Sequence, residues 1–343
     1  MCAYPGINSE PRFFCNPGGE LRNWSQRFFV GNWADKSDRF GYIYDECTAV
    51  EVLKHIDVSN ATDSKNEPSP WEITVGHNEY IITLRNLINE IQERGIGKVV
   101  LSRTKSVNVG LTGSTGVSVA CRMFESFPHT FRFLYYLPET GFWMGASPEL
   151  LLSYNKKESS LSTMALAGTR ASSDSATSWS DKDVREQALV ESYIVNELES
   201  LGYKVNCSAP ETVSIGNIQH IATSIYAVPV EKRIVDASTI LDALNPTPAL
   251  CGYPRVEAEE IISHIERHPR RCYGGVVGIE TLDRLDAYVN LRCAHFDDKR
   301  VCQYAGGGIL RESVPEQEWL ETERKMSSIG CLFEKTGNDG GKG

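Results

Sequence analysis

FRFLYYLPETGFWMGASPELLLSY, residues 131–154, decides the architecture. Phe131 to Leu137 and Phe142 to Ala146 are apolar and aromatic runs on either side of Pro138-Glu139-Thr140-Gly141, a turn composition, so they read as a hairpin. Leu150 to Tyr154 opens a second hairpin, which Leu161 to Leu166 closes after the polar Asn155 to Ser160. Connections this short join only antiparallel strands. The same style recurs on both sides. Lys98 to Val109 (KVVLSRTKSVNV) has the β-branched density of a buried strand. Gly275 to Glu280, Ala287 to Phe296 and Arg300 to Tyr304 follow one another across short Asp-rich turns. Helices are interleaved with these strands. His77 to Arg94 carries Ile81, Leu84, Leu87, Ile88 and Ile91 on one side, and Ser180 to Leu201 carries Val190, Ile194, Leu198 and Leu201. A third helix begins at Ser313, with Ser313 and Glu316 as a capping box, and runs to about Phe333. The class is α+β with large antiparallel sheets.

The 343 residues include 35 Lys+Arg and 45 Asp+Glu, a formal net charge of −10, and 41% are hydrophobic. This is ordinary globular composition with ample material for a core. The acidic balance argues against nucleic-acid binding, which needs a basic surface. No apolar run of roughly 18 residues is present, so no membrane span is expected. Met1 to Glu20 has neither a basic start nor an apolar centre, and the ten cysteines form no CxxC pair. A cytoplasmic protein with reduced thiols and no zinc is expected, with monomer as the default state. The polar run Asp57 to Pro70 (DVSNATDSKNEPSP) sets off residues 1–70, an N-terminal segment expected to contribute to the same fold, from the main region over 71–335. Residues 336–343 read as a disordered tail. A second polar run, Ala171 to Asp181, reads as a mobile loop, either a plain connection or an active-site cover.

Several polar residues stand where the pattern wants apolar ones. Lys98 opens the most apolar strand, either as a strand-end lysine reaching water or as a desolvated amine able to take a proton. Glu149 lies between a tight turn and Leu150-Leu151-Leu152, as a turn carboxylate or as an acid whose pKa burial has raised. Glu186 sits near the apolar stripe of its helix. Glu318 and Glu321 border the Trp319/Met326/Ile329 stripe, with Lys325 four residues beyond Glu321, a spacing that also suits an ordinary exposed pair. Arg292 lies in a strand with few other charges and is costly there unless it meets an anion. Gly306, Gly307 and Gly308 allow backbone amides to approach an anion. Neither a dinucleotide fingerprint nor a Walker loop is present. Together these residues describe carboxylates for a hard cation, Mg²⁺ being the natural choice, and cationic groups for a small, multiply anionic substrate.

The ordered motifs KVVLSR (98–103), GASPELLL (145–152), ALAGT (165–169), QHIAT (219–223) and NPTPAL (245–250) resemble those of a known family. So do YGG (273–275), LRCA (291–294), AGGGI (305–309) and EWLET (318–322). The chain is similar to chorismate-utilising enzymes and, within them, to isochorismate synthases, over roughly residues 98–333. The resemblance implies sheets packed face to face with helices outside, as in anthranilate synthase. It implies Lys98 as the base that activates water at C2 of chorismate and Glu149 as the acid that protonates the departing C4 hydroxyl. Glu186 and Glu321 would bind Mg²⁺, with Glu318 nearby or acting through water. Tyr273, Arg292, Lys325 and the amides around Gly306 and Gly308 would hold the carboxylates, and Gly168, Thr169 and His220 would line the reacting edge. Ala167 stands where aminodeoxychorismate synthases often carry a lysine, which argues against amination. The alternative is a salicylate synthase, which goes on to eliminate pyruvate. The product would serve menaquinone, siderophore or salicylate synthesis. Arg185-Glu186-Gln187 departs from the His-Glu-His common in isochorismate synthases, which alters the surroundings of the first metal carboxylate.

Overall fold

The structure, a computed structural model, describes residues 2–3, 10–15, 26–33, 42–47, 73–111, 113–137, 141–216, 218–231 and 235–334. The Asp57–Pro70 loop and the 336–343 tail lie outside these residues. The chain begins with β1 (Cys2–Ala3), β2 (Phe13–Cys15), β3 (Gln26–Gly31) and β4 (Tyr42–Cys47). There follow α1 (His77–Arg94), β5 (Lys98–Asn108), α2 (Gly113–Ser126), β6 (Phe131–Leu137), β7 (Gly141–Ser147), β8 (Leu150–Asn155) and β9 (Leu161–Ala171). Next come α3 (Asp181–Ser200), β10 (Tyr203–Cys207), β11 (Glu211–Ile215), β12 (Ile218–Pro229), α4 (Ala237–Leu244), β13 (Gly252–Tyr253) and α5 (Arg255–Ile265). The chain ends with β14 (Val276–Thr281), β15 (Arg284–Val289), β16 (Cys293–Phe296), β17 (Arg300–Ile309) and α6 (Pro315–Glu334).

Two antiparallel sheets result. One runs β1-β6-β7-β16-β17-β5-β13; the other runs β10-β12-β9-β8-β15-β14-β3-β4-β2, with β11 also on β12. Phe131, Phe133, Trp143 and Tyr304 of the first pack against Phe28, Val30, Val277 and Ile279 of the second, so the sheets meet face to face. Helices lie outside. Val190, Ile194 and Leu198 of α3 pack with α4 on the second sheet. Helices α1 and α5 cover β5, and α2 and α6 cover β7 and β16. The described N-terminal strands enter both sheets, since β1 pairs with β6 and β3 with β14. Among the described residues no helix is long and apolar enough to cross a membrane.

Two local expectations are corrected. Ala287 to Phe296 is not one strand. It breaks at Asn290-Leu291-Arg292, where Arg292 has φ +47°, and the chain passes from β15 in one sheet to β16 in the other. The capping box also fails. Ser313 Oγ accepts from the Leu310 amide and Glu316 pairs with His77, while Pro315 opens α6, where its missing N–H costs nothing. The Ala171–Asp181 segment is strapped down: the Arg170 guanidinium lies 4.0 Å above the Trp179 ring, and Trp179 Nε1 donates to Thr212.

Ile194 is fully buried between α3 and the ten-stranded sheet. Ile194→Ala should cost about 2–5 kcal/mol in denaturant unfolding; a loss below about 0.5 kcal/mol would place α3 outside the core.

Candidate active site

A cavity of about 710 Å³, including its mouth, lies between the sheets. Glu149, Gly168, Thr169, Glu186, His220, Tyr273, Arg292, Gly306, Gly308, Glu321 and Lys325 line it. Lys98 and Glu318 stand immediately behind this lining. Leu166, Ala167, Ala249, Leu250 and Leu291 supply apolar wall.

Strand β17 forms the floor. The Val100 amide donates to Cys251 O and the Ser102 amide to Glu266, both away from β17. Their partners across the ladder are Gly308 and Gly306. In an antiparallel pair such residues both turn their N–H and C=O groups outward, so Gly306 and Gly308 aim theirs at the edge of β17 beyond the end of β16. Lys325 Nζ donates to Gly306 O at 2.9 Å there. The glycines are therefore part of the strand rather than a loop after it. Their other role is clearance. A Cβ at Gly308 would fall on the Glu186 carboxylate and the Lys98 side chain, one at Gly306 would lie 3.0 Å from Tyr273 Oη, and one at Gly307 would lie 3.3 Å from Glu318 Oε2.

Charge inside the cavity is compensated pair by pair. Lys98 does not reach water: it is fully buried, and its Nζ lies 2.6 Å from Glu186 Oε1. Lys182 Nζ lies 2.6 Å from Glu318 Oε1, and Lys325 Nζ lies 2.7 Å from Glu321 Oε1. Burial pushes the Glu318 carboxyl up to about 7, whereas Lys325 and Lys182 hold Glu321 below its ordinary value. The reading from sequence missed Lys182, although it stands four residues before Glu186 and so on the same helix face. It also missed Arg270, buried behind the cavity wall, which donates to Leu250 O and Val100 O of that wall and pairs with Glu266.

Two adjacent crossings between the sheets carry the remaining polar groups. The Ala146 amide donates to Arg292 O and the Val289 amide to Glu149 O, so the β7–β8 and β15–β16 crossings brace each other. Left-handed backbone at a non-glycine such as Arg292 is strained and persists only where its surroundings hold it. Arg292 donates from one terminal nitrogen to His220 Nε2 at 2.7 Å; its other terminal nitrogen is buried with no hydrogen-bond partner among the described residues. Desolvation lowers the guanidinium to about 10, still charged at neutral pH. His220 Nδ1 donates to Gly168 O at 2.7 Å, which fixes the tautomer, and burial beside Arg292 and Lys325 lowers its pKa to about 3. This contact depends on a bulge: Gly168 and Thr169 of β9 together face the single residue His220 of β12, with Gly168 at φ +70°.

Among the described residues Glu149 has no cation in contact. Burial raises its carboxyl to about 8 against the weaker pull of Lys98 and Lys325, and its Oε1 has no hydrogen-bond partner among the described residues. It is an uncharged acid at neutral pH with an oxygen available to a guest.

For a divalent metal, the donor chemistry suits Mg²⁺: Glu186, Glu318 and Glu321 offer only oxygens, Glu186 against Gly308 and Glu318 and Glu321 against Gly307 on the other face of the strand. Among the described residues no three acidic, His or Cys groups are drawn together as a ready cage, and each of these carboxylates is held by a lysine.

A family model described as "Chorismate binding enzyme" matches residues 22–332. The chain belongs to the chorismate-binding enzyme family. It is 31% identical to isochorismate synthase EntC of Escherichia coli over 249 residues, covering 69% of this chain and 62% of that protein. Anthranilate synthase component 1 of Thermococcus kodakarensis is 26% identical over 332 residues, covering 88% of this chain and 75% of that one. The structure of MenF, the menaquinone-specific isochorismate synthase from Escherichia coli, superimposes with a TM-score of 0.70 at 22% identity, covering 90% of this chain and 79% of that one. The fold is thus that of the family, and the chain spans about 62% of EntC's length.

The Glu149 carboxyl keeps its proton to about pH 8 in the folded chain, against an ordinary 4.5. Its contribution to stability is present below pH 4.5 and is lost as pH rises to about 8. Wild type should therefore lose stability relative to Glu149→Gln between pH 5 and pH 8 in denaturant titrations. A difference that does not change with pH would put this carboxyl in water.

Proposed function

We propose that the protein is a Mg²⁺-dependent enzyme that isomerises chorismate to isochorismate, adding water at C2 of the ring and expelling the C4 hydroxyl. The observation that carries the reading is Glu149, a buried carboxyl that holds its proton and has an oxygen open to the cavity. It is suited to protonate a leaving hydroxyl. Lys98 takes the proton of the attacking water. In its present contact the amine is tied to Glu186, so proton acceptance requires Glu186 to turn away, as a metal ligand must. Glu186 and Glu321, with Glu318 nearby, would hold Mg²⁺, which would supply positive charge at the ring carboxylate.

The chain's own groups do the rest. Arg292 offers its unpartnered nitrogen to a substrate carboxylate, and the outward amides of Gly306 and Gly308 offer two further donors. Lys325, tethered to Gly306 O, adds positive charge at the same edge. Neutral His220, locked between Gly168 O and Arg292, holds the guanidinium in place and presents an uncharged ring edge to the substrate. Tyr273 is fixed by stacking on Tyr304, with centroids 5.6 Å apart at 20°. Ala167 leaves no amine at the ring, which favours water over an amine as nucleophile. The relatives named as isochorismate synthases support the same reading, with the product as a menaquinone or siderophore precursor.

Chorismate incubated with the protein and Mg²⁺ should give isochorismate, with no salicylate or anthranilate as first product, by chromatographic separation. Lys98→Ala should slow turnover by about 10²–10⁴-fold. Full activity in that variant would remove Lys98 as the base.

A further inference from the structure

We infer that Lys182 is an internal stand-in for the divalent cation, a positioning residue whose ammonium must swing out of the carboxylate cluster before the metal can enter. This rests on the reading above that Glu186, Glu318 and Glu321 are the metal carboxylates, and it adds a residue that controls their occupancy.

Three carboxylates pair with three lysines in and immediately behind this wall of the cavity: Glu186 with Lys98, Glu318 with Lys182, and Glu321 with Lys325. Each carboxylate already has a lysine amine against it. Adding a doubly charged cation to the cluster is unfavourable unless one ammonium withdraws. The three lysines are not equivalent in this respect. Lys98 is 0% exposed, enclosed by Glu186 and the Gly308 backbone. Lys325 is held twice, by Glu321 and by Gly306 O. Lys182 and Lys325 have similarly exposed side chains, 23% and 21%, but Lys182, on the first turn of α3, is held by one hydrogen bond, to Glu318. It feels Glu186 and Glu321 as well, so it bridges the helices that carry all three carboxylates. Of the three, it alone has a route to solvent that breaks one contact. Its position between α3 and α6 also accounts for carboxylates of suitable chemistry that are not gathered as a cage.

With Lys182 withdrawn, a bound cation and Lys325 present positive charge together to a dianionic substrate. Metal and substrate therefore favour each other's binding, and the metal alone binds weakly to the wild-type chain.

The test is calorimetric titration of the full chain with MgCl₂ alone, comparing wild type, Lys182→Met and Lys182→Arg. Lys182→Met should bind Mg²⁺ about tenfold more tightly, or better, because one nearby positive charge is gone. Lys182→Arg should bind no more tightly than wild type. Equal or weaker binding by Lys182→Met overturns the inference while leaving the metal reading intact. If no form binds Mg²⁺, even with chorismate present, the metal reading fails and this inference fails with it. Should Lys182→Met not fold, wild type supplies the second measurement. Acetylation of Lys182 by an amine-selective reagent, followed by mass spectrometry, should rise when Mg²⁺ and chorismate are added together; an unchanged rate overturns the inference.

Discussion

A Cβ at position 308 of β17 would enter the space that Lys98 and Glu186 share, one at 306 would press on Tyr273 Oη, and Gly307 faces Glu318 and Glu321 on the other side of the strand. This clearance is the constraint on which the site depends. A buried lysine is tolerable only with a carboxylate in contact, and the Lys98–Glu186 contact exists only because Gly308 lacks a Cβ. The same bare strand turns two peptide groups toward the cavity, so one run of sequence supplies both room and hydrogen-bond donors.

The second organising feature is the pair of crossings between sheets. A strand that leaves one sheet for the other must pass through the interior, where its backbone groups need partners. Here the two crossings satisfy each other, through Ala146 with Arg292 and Val289 with Glu149. Each carries one functional side chain into the interior, an arginine in one case and an uncharged acid in the other. The strain at Arg292 is a local cost of this arrangement, offset by the hydrogen bonds on both sides of it.

Much of this was legible in the sequence. The 131–166 meander, α1, α3 and the span of β5 follow from period and turn chemistry, and of the thirteen polar and glycine positions named from motifs eleven line one cavity, with Lys98 and Glu318 immediately behind it. What failed did so for tertiary reasons. Ala287–Phe296 has unbroken strand character, and only the geometry of two packed sheets makes it bend at Arg292. Ser313 has a cap composition, but its hydroxyl is taken by the Leu310 amide. Lys182 was invisible as a site residue because an exposed-looking lysine on a helix is usually a solvated one, and its partners lie on a helix more than 130 residues away in the chain.

The account comes down to one group. Every other carboxyl named at the cavity has a lysine in contact, whereas Glu149 has none among the described residues and keeps a proton in its place. Infrared difference spectroscopy of wild type against Glu149→Gln reads this directly. At neutral pH wild type should show the carbonyl stretch of a protonated carboxylic acid that the variant lacks, and it should fade as pH rises through about 8. A carboxylate signal from Glu149 at neutral pH would contradict the account.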